Sequence, residues 1–229
     1  MKALAAFIAS GRWQAVLVTA ACGVMTFMLP PFSTVLNYLA AAAVALVMLH
    51  IGTLQGLQVL FIASAATVLF YQLLGLQAVV VIIMVVLLWL PCAGLAVVLR
   101  VSRRLDTALK AAVVFGAVLL LAVYGLHGDP VPWWIERLQV LQEMLDSAGL
   151  PVTNLSDEQT VRAVAALLTG LVLASLLVGV LGSLMLARWW QSQLVHPGGF
   201  REEFSNLRQG QAAGLLTLGT LLAARLVSG

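Results

Sequence analysis

LQAVVVIIMVVLLWLPCAGLAVVL, residues 76–99, decides what kind of protein this is. The run carries no Asp, Glu, Lys or Arg. It exceeds the roughly 20 apolar residues that an α-helix needs to cross the hydrocarbon of a bilayer. Pro91 lies inside it. Proline lacks the amide that would bond to the carbonyl of Leu87, so the helix is expected to kink there.

Similar runs lie on both sides. Apolar segments at about 13–29, 34–51 and 54–73 precede it, and segments at 111–126, 161–186 and 211–224 follow. The whole chain is 62% hydrophobic and only 9% charged, against roughly 25% charged in ordinary soluble domains. A 229-residue chain cannot hide so much apolar surface from water in a core of its own. The expected fold class is all-α: a polytopic transmembrane helix bundle of 6–7 spans, forming one integral membrane domain over residues 1–229. Lys2 and the following apolar stretch read as a retained first span rather than a cleaved leader. Pro30-Pro31 is expected to end that span. The small pair Ala5/Ala9 on it would permit close helix contact.

The segment between 127 and 162 is different. It holds Asp129, Glu136, Glu143, Asp146, Asp157 and Glu158 against Arg137 and Arg162. Within it Ile135, Leu138, Leu141, Leu145 and Ala148 recur at three- and four-residue steps, which predicts an amphipathic helix over 132–148. Pro132 suits its first turn and Gly149 its stop. Trp133 and Trp134 suit a headgroup region. Such a helix would lie on the membrane surface or over the mouth of the bundle. Ser156 to Gln159 has the form of a capping box ahead of the next span. Gly170, Ala174, Ser175, Gly179, Gly182 and Ser183 give that span a small-residue face, which places it at the centre of the bundle.

Basic residues set the orientation. Arg100, Arg103, Arg104 and Lys110 form the densest basic cluster. It reads as a topology anchor on the cytoplasmic side or, alternatively, as a site for an anionic ligand. Lys2, Arg12 and the loop at 187–210 fall on the same side by alternation of spans. The N-terminus is then cytoplasmic and the acidic segment, with its surface helix, is extracytoplasmic.

Polar residues inside the spans need partners in hydrocarbon. Gln58, Ser64, Thr67, Tyr71 and Gln72 make 54–73 the richest span in such groups, and Asn37 sits near the start of 34–51. Either they hydrogen-bond between helices or they line a ligand cavity. In the second case Asn37, Gln58, Ser64, Thr67 and Tyr71 are the candidate ligand-binding residues. In the loop Trp189, Trp190, Phe200, Arg201 and Phe204 are the candidate partner-binding residues. The Pro197-Gly198-Gly199 turn could converge backbone amides on an anion or simply turn the chain before a short helix. His50 reads as an interfacial residue or, alternatively, a proton-handling one.

Catalytic signals are missing. No Asp, Glu or Lys lies in the interior of a span, which argues against a pump built on intramembrane carboxylates. No P-loop, HExxH or GxSxG motif is present. Cys22 and Cys92 lie in apolar runs with no metal spacing. No catalytic residue, metal site or cofactor is expected, and the chain is not expected to be an enzyme. The expected partners are the lipid bilayer, a membrane or cytoplasmic protein and a small-molecule ligand; nucleic acid is not among them.

RWWQSQLVHPGGFREEFSNLRQG, residues 188–210, together with the order of spans, resembles the YybS-like family of uncharacterised bacterial membrane proteins. The Pro197-Gly198-Gly199-Phe200-Arg201 core carries the resemblance. That family is regarded as distantly similar to the substrate-binding membrane subunits of energy-coupling-factor transporters. Those subunits are helix bundles with a small-molecule pocket open to the outside and a helical face that docks on a transport partner. The resemblance therefore implies a multi-pass protein of the bacterial inner membrane that binds a small molecule. The alternative is a structural or assembly protein that recruits its partner through the 188–210 loop.

Overall fold

The computed structural model describes residues 2–29, 32–149, 158–195 and 199–205. They form nine helices: α1 (Lys2–Ala9), α2 (Arg12–Met28), α3 (Ser33–His50), α4 (Thr53–Leu73), α5 (Ala78–Ser102), α6 (Leu105–His127), α7 (Val131–Ser147), α8 (Glu158–Val195) and α9 (Gly199–Ser205). No strand occurs among the described residues. Several expected features lie outside them: the Pro30-Pro31 stop, the Ser156 cap, the Pro197-Gly198 turn and the 211–224 span.

Among the described residues five helices are long and apolar enough to cross a membrane: α3, α4, α5, α6 and α8. Their apolar side chains extend over the outside as well as the inside. Phe61, Leu73, Leu121, Leu126, Leu167 and Val178 are all widely exposed, a pattern that water would penalise and lipid would not. At 17 residues α2 is shorter than a full crossing of roughly 20. It is preceded by the separate short α1, and the helix is interrupted at Ser10–Gly11 between them.

The basic cluster is more compact than its sequence implies. α6 starts at Leu105, well before residue 111, so only Arg103 and Arg104 lie between α5 and α6. Arg103 takes a left-handed conformation, with φ of 54°, and its amide closes α5 on the carbonyl of Leu99. Lys110 sits one turn into α6 and pairs with Asp106 at 2.8 Å. Inside α5 the irregularity expected at Pro91 takes the form of a π-turn at Val85–Trp89. The amide of Leu90 reaches back to Val85. The wider turn lies directly ahead of the proline, where the regular hydrogen-bond ladder cannot continue.

The described residues divide into two compact units, one from 1–112 and 179–229, the other from 113–178. In the first, α3 is the central helix. Ala40 through Leu49 are buried on every side of it, and α1, α2, α4 and α5 pack around it. The run Ala40–Ala43 has side chains small enough for neighbours to approach from all directions. Gly56 of α4 lies so close that a methyl there would sit 2.0 Å from Cγ of Met48. This corrects the expectation that the small-residue span, now α8, holds the centre. Gly170, Ala174, Ser175 and Gly182 are exposed; only Gly179 and Ser183 of that set are buried. Gly179 is held by the ring of Tyr38, which a methyl would approach to 2.6 Å.

In the second unit α6 and α8 approach closely at Gly116, where a methyl would come within 2.4 Å of Leu177. α7 packs on the first turns of α8. Gly128, with φ of 70°, lets the chain turn out of α6. Asp129 Oδ1 then accepts from the amide of Val131 at 3.0 Å, satisfying one of the free amides at the start of α7. Pro132 falls where no amide is needed. Gly149, with φ of 74°, lies just beyond the helix end.

Candidate functional site

Four of the five residues expected to line a ligand cavity in the first unit have partners inside the protein. Trp89 donates from Nε1 to Asn37 Oδ1 at 2.8 Å. The hydroxyls of Ser64 and Thr67 donate to carbonyls of their own helix, Leu60 at 2.6 Å and Ala63 at 2.8 Å. Tyr71 is buried, and its hydroxyl lies 3.4 Å from the carbonyl of Val24. Thr67 and Trp89 meet over Gly23, where a methyl would already be 3.0 Å from each. Gln58 does not join them and points out of the unit. Asn37 and Tyr71 thus join neighbouring helices, whereas Ser64 and Thr67 are satisfied within their own.

The loop expected from residue 187 begins later, because α8 stays helical to Val195. This turns Trp190 inward. It is 1% exposed, which corrects its placement on a docking surface. Trp189 is half-buried. Phe200 and Phe204 stack on α9 with ring centroids 5.9 Å apart, and Arg201 and Phe204 are exposed.

A second polar arrangement, not foreseen from the sequence, closes the end of α3. Arg100 donates from its guanidinium to the carbonyls of Met48 and Leu49. Gln191 Nε2 donates to the same Leu49 carbonyl at 2.9 Å. Arg188 in turn donates to Gln191 Oε1 at 2.6 Å. The last carbonyls of a helix lack partners within it and carry its negative dipole end. A buried span end therefore attracts a cation and an amide. The sequence signal for Arg100 was its place in the last turn of α5.

An open recess that mixes polar and apolar walls lies in the second unit. It is a groove of about 440 Å³ between α7 and the start of α8. Ile135 and Leu138 of α7 and Val161 of α8 form its apolar wall. Gln139 and Gln142 supply amides, and Glu158 and Arg162 supply opposite charges. Glu158 and Arg162 stand one helical turn apart, the spacing at which such pairs usually meet. Among the described residues no ion pair joins them. A hydrogen bond ties the two helices together beyond the groove: Trp134 Nε1 donates to Thr169 Oγ1 at 2.8 Å, and both residues are largely buried. Trp133 lies edge-on to Trp134 with centroids 4.7 Å apart.

Sequence reasoning placed the helix but not the groove. The available signal was Gln142, a polar residue on the same face of α7 as Leu138 and Leu145. A purely structural helix–helix face has no use for an amide there. Among the described residues no cluster of His, Cys, Asp and Glu could hold a metal ion. No family model, curated protein or solved structure matches the chain.

Proposed function

We propose that this chain is a multi-pass protein of the bacterial inner membrane that binds a small molecule on its extracytoplasmic side, in the groove between α7 and α8. The observation that carries the reading is the lining of that groove. An apolar wall, two amides and an unpaired acid and base converge on about 440 Å³, within the usual size range of ligand sites. The ligand class that fits is a compact molecule with an apolar body and a zwitterionic or strongly hydrogen-bonding end. The sidedness follows from charge: Arg100, Arg103 and Arg104 close α5, whereas α7 and the start of α8 carry Glu136, Glu143, Asp146 and Glu158. Positive residues on short connections favour the cytoplasm.

This reading agrees with the resemblance to the YybS-like family and, through it, to substrate-binding subunits of energy-coupling-factor transporters. It moves the ligand from Asn37 of α3 and the polar residues of α4 to the α7–α8 groove. The reading adds α2 to the five long apolar helices, giving six spans among the described residues, with 211–224 outside them as the candidate seventh. No catalytic pair is assigned to it.

Native mass spectrometry of the detergent-extracted protein tests it. The wild type should carry a small molecule of defined mass, and Arg162→Ala with Gln142→Leu should lose it while retaining the melting temperature. A wild type that carries none, in preparations that keep bound lipid, would count against the groove as a site. The second reading, an assembly protein, is favoured by one feature: Phe204 and Arg201 are exposed on α9. It predicts a co-purifying protein that crosslinks to α9.

A further inference from the structure

α7 has more apolar surface than its packing uses. Trp134, Leu138 and Leu145 are partly buried on the side facing α8. Trp133, Val140, Leu141 and Met144 are exposed, Met144 at 65%. At 3.6 residues per turn Trp133, Val140 and Met144 fall on one flank, separated from the groove-lining Gln139 and Gln142 by the helix itself. Glu136 and Glu143 form a narrower acidic stripe on the remaining arc, and Asp146 falls on the groove side between Ile135 and Gln139. Arg137 lies on the exposed apolar flank, with its guanidinium 5.2 Å from the centroid of Trp133.

We propose that this flank is embedded in the lipid interface, so that α7 is a wedge with bilayer on one side and the groove on the other. Three observations select lipid over a protein occupant. The exposed apolar surface is shared by all three helices of the unit: Val118 and Leu121 on α6, Leu167 and Leu171 on α8, and the flank of α7. A single docked protein would cover one side only. The Trp133–Arg137 pair has the amphipathic character that suits the headgroup level. All three acids lie off the flank, Glu136 and Glu143 on a stripe of their own and Asp146 on the groove side, which keeps them in water while the flank is buried. Because α7 carries Glu136, Glu143 and Asp146 against Arg137 alone, insertion rests on apolar burial and needs no anionic lipid.

The proposal rests on the membrane reading and stands or falls independently of the groove. Its test uses the protein in phosphatidylcholine nanodiscs. Nitroxide labels are placed at Val140→Cys, Met144→Cys and Glu143→Cys in a Cys22→Ala, Cys92→Ala background. Positions 140 and 144 should collide with oxygen and be shielded from a water-soluble nickel complex, and position 143 should show the reverse. Nickel access at all three sites, or shielding from both probes at 140 and 144, overturns the proposal. If the cysteine-free background fails to fold, the native chain answers instead. Met144 should resist oxidation by chloramine-T in nanodiscs while the same residue in a synthetic 129–149 peptide is oxidised. Equal rates would overturn it.

Discussion

Trp89 of α5 donates its indole N–H to the side-chain oxygen of Asn37 on α3, 2.8 Å away. Asn37→Leu removes the acceptor and leaves the part-buried donor alone, which should cost about 1–3 kcal/mol. Asn37→Leu combined with Trp89→Phe removes both partners and should recover part of that loss, since paired polar deletions are less harmful than single ones. Unfolding midpoints in one detergent measure both. A single Asn37→Leu variant as stable as the wild type would show that the bond contributes nothing.

Gly56→Val should disrupt the first unit. The added carbon would fall 2.0 Å from Met48 Cγ and 3.1 Å from its Cα. The second contact is backbone in the centre of the unit, so rotation of Met48 cannot relieve the clash. Gly94→Ala is the control: nothing lies within 4 Å. Relief of the glycine entropy cost should leave it unchanged or up to about 1 kcal/mol more stable. Thermal melts should fall for Gly56→Val and hold or rise for Gly94→Ala; a drop of similar size in both would contradict the close approach at Gly56.

Arg100 and Gln191 converge on the Leu49 carbonyl. Arg100→Ala should destabilise by about 1.5–3 kcal/mol, the range for hydrogen bonds to charged groups. Gln191→Ala should cost about 1 kcal/mol. Because the two share an acceptor, the double variant should depart from the sum of the singles. Strict additivity would mean that the contacts act separately.

The sequence made some of these elements plain and hid others, for physical reasons. α7 could be read from the steps between Ile135, Leu138, Leu141 and Leu145, because one of its faces meets water and the contrast survives in the residue order. The centrality of α3 could not. Lipid and protein interior are both apolar, so Ala40–Leu49, buried all round, has the same hydropathic character as a lipid-facing helix. The extension of α8 through Trp190 and Gln191 was concealed by polar residues that face the end of α3 rather than water. Ser64 and Thr67 stood out as polar, yet each donates to a carbonyl one turn back, a bond available within their own helix. The groove needed tertiary placement, because its walls come from α7 and from α8 beyond the intervening segment.

Trp134→Phe should loosen α7. It keeps the ring and removes the bond to Thr169, a loss of about 1 kcal/mol. Hydrogen exchange over 131–147 should quicken while exchange in α3 stays unchanged, since the bond lies within the second unit. An unaltered α7 would show that the Trp134–Thr169 bond does not tie it to α8.

The account turns on which side of the membrane α7 occupies. Single cysteines at Gln139 and Arg104, probed on intact cells with a membrane-impermeant maleimide, measure this directly. The account predicts labelling at 139 in intact cells and at 104 only after permeabilisation. Labelling at 104 in intact cells, with 139 protected until the membrane is opened, would contradict it.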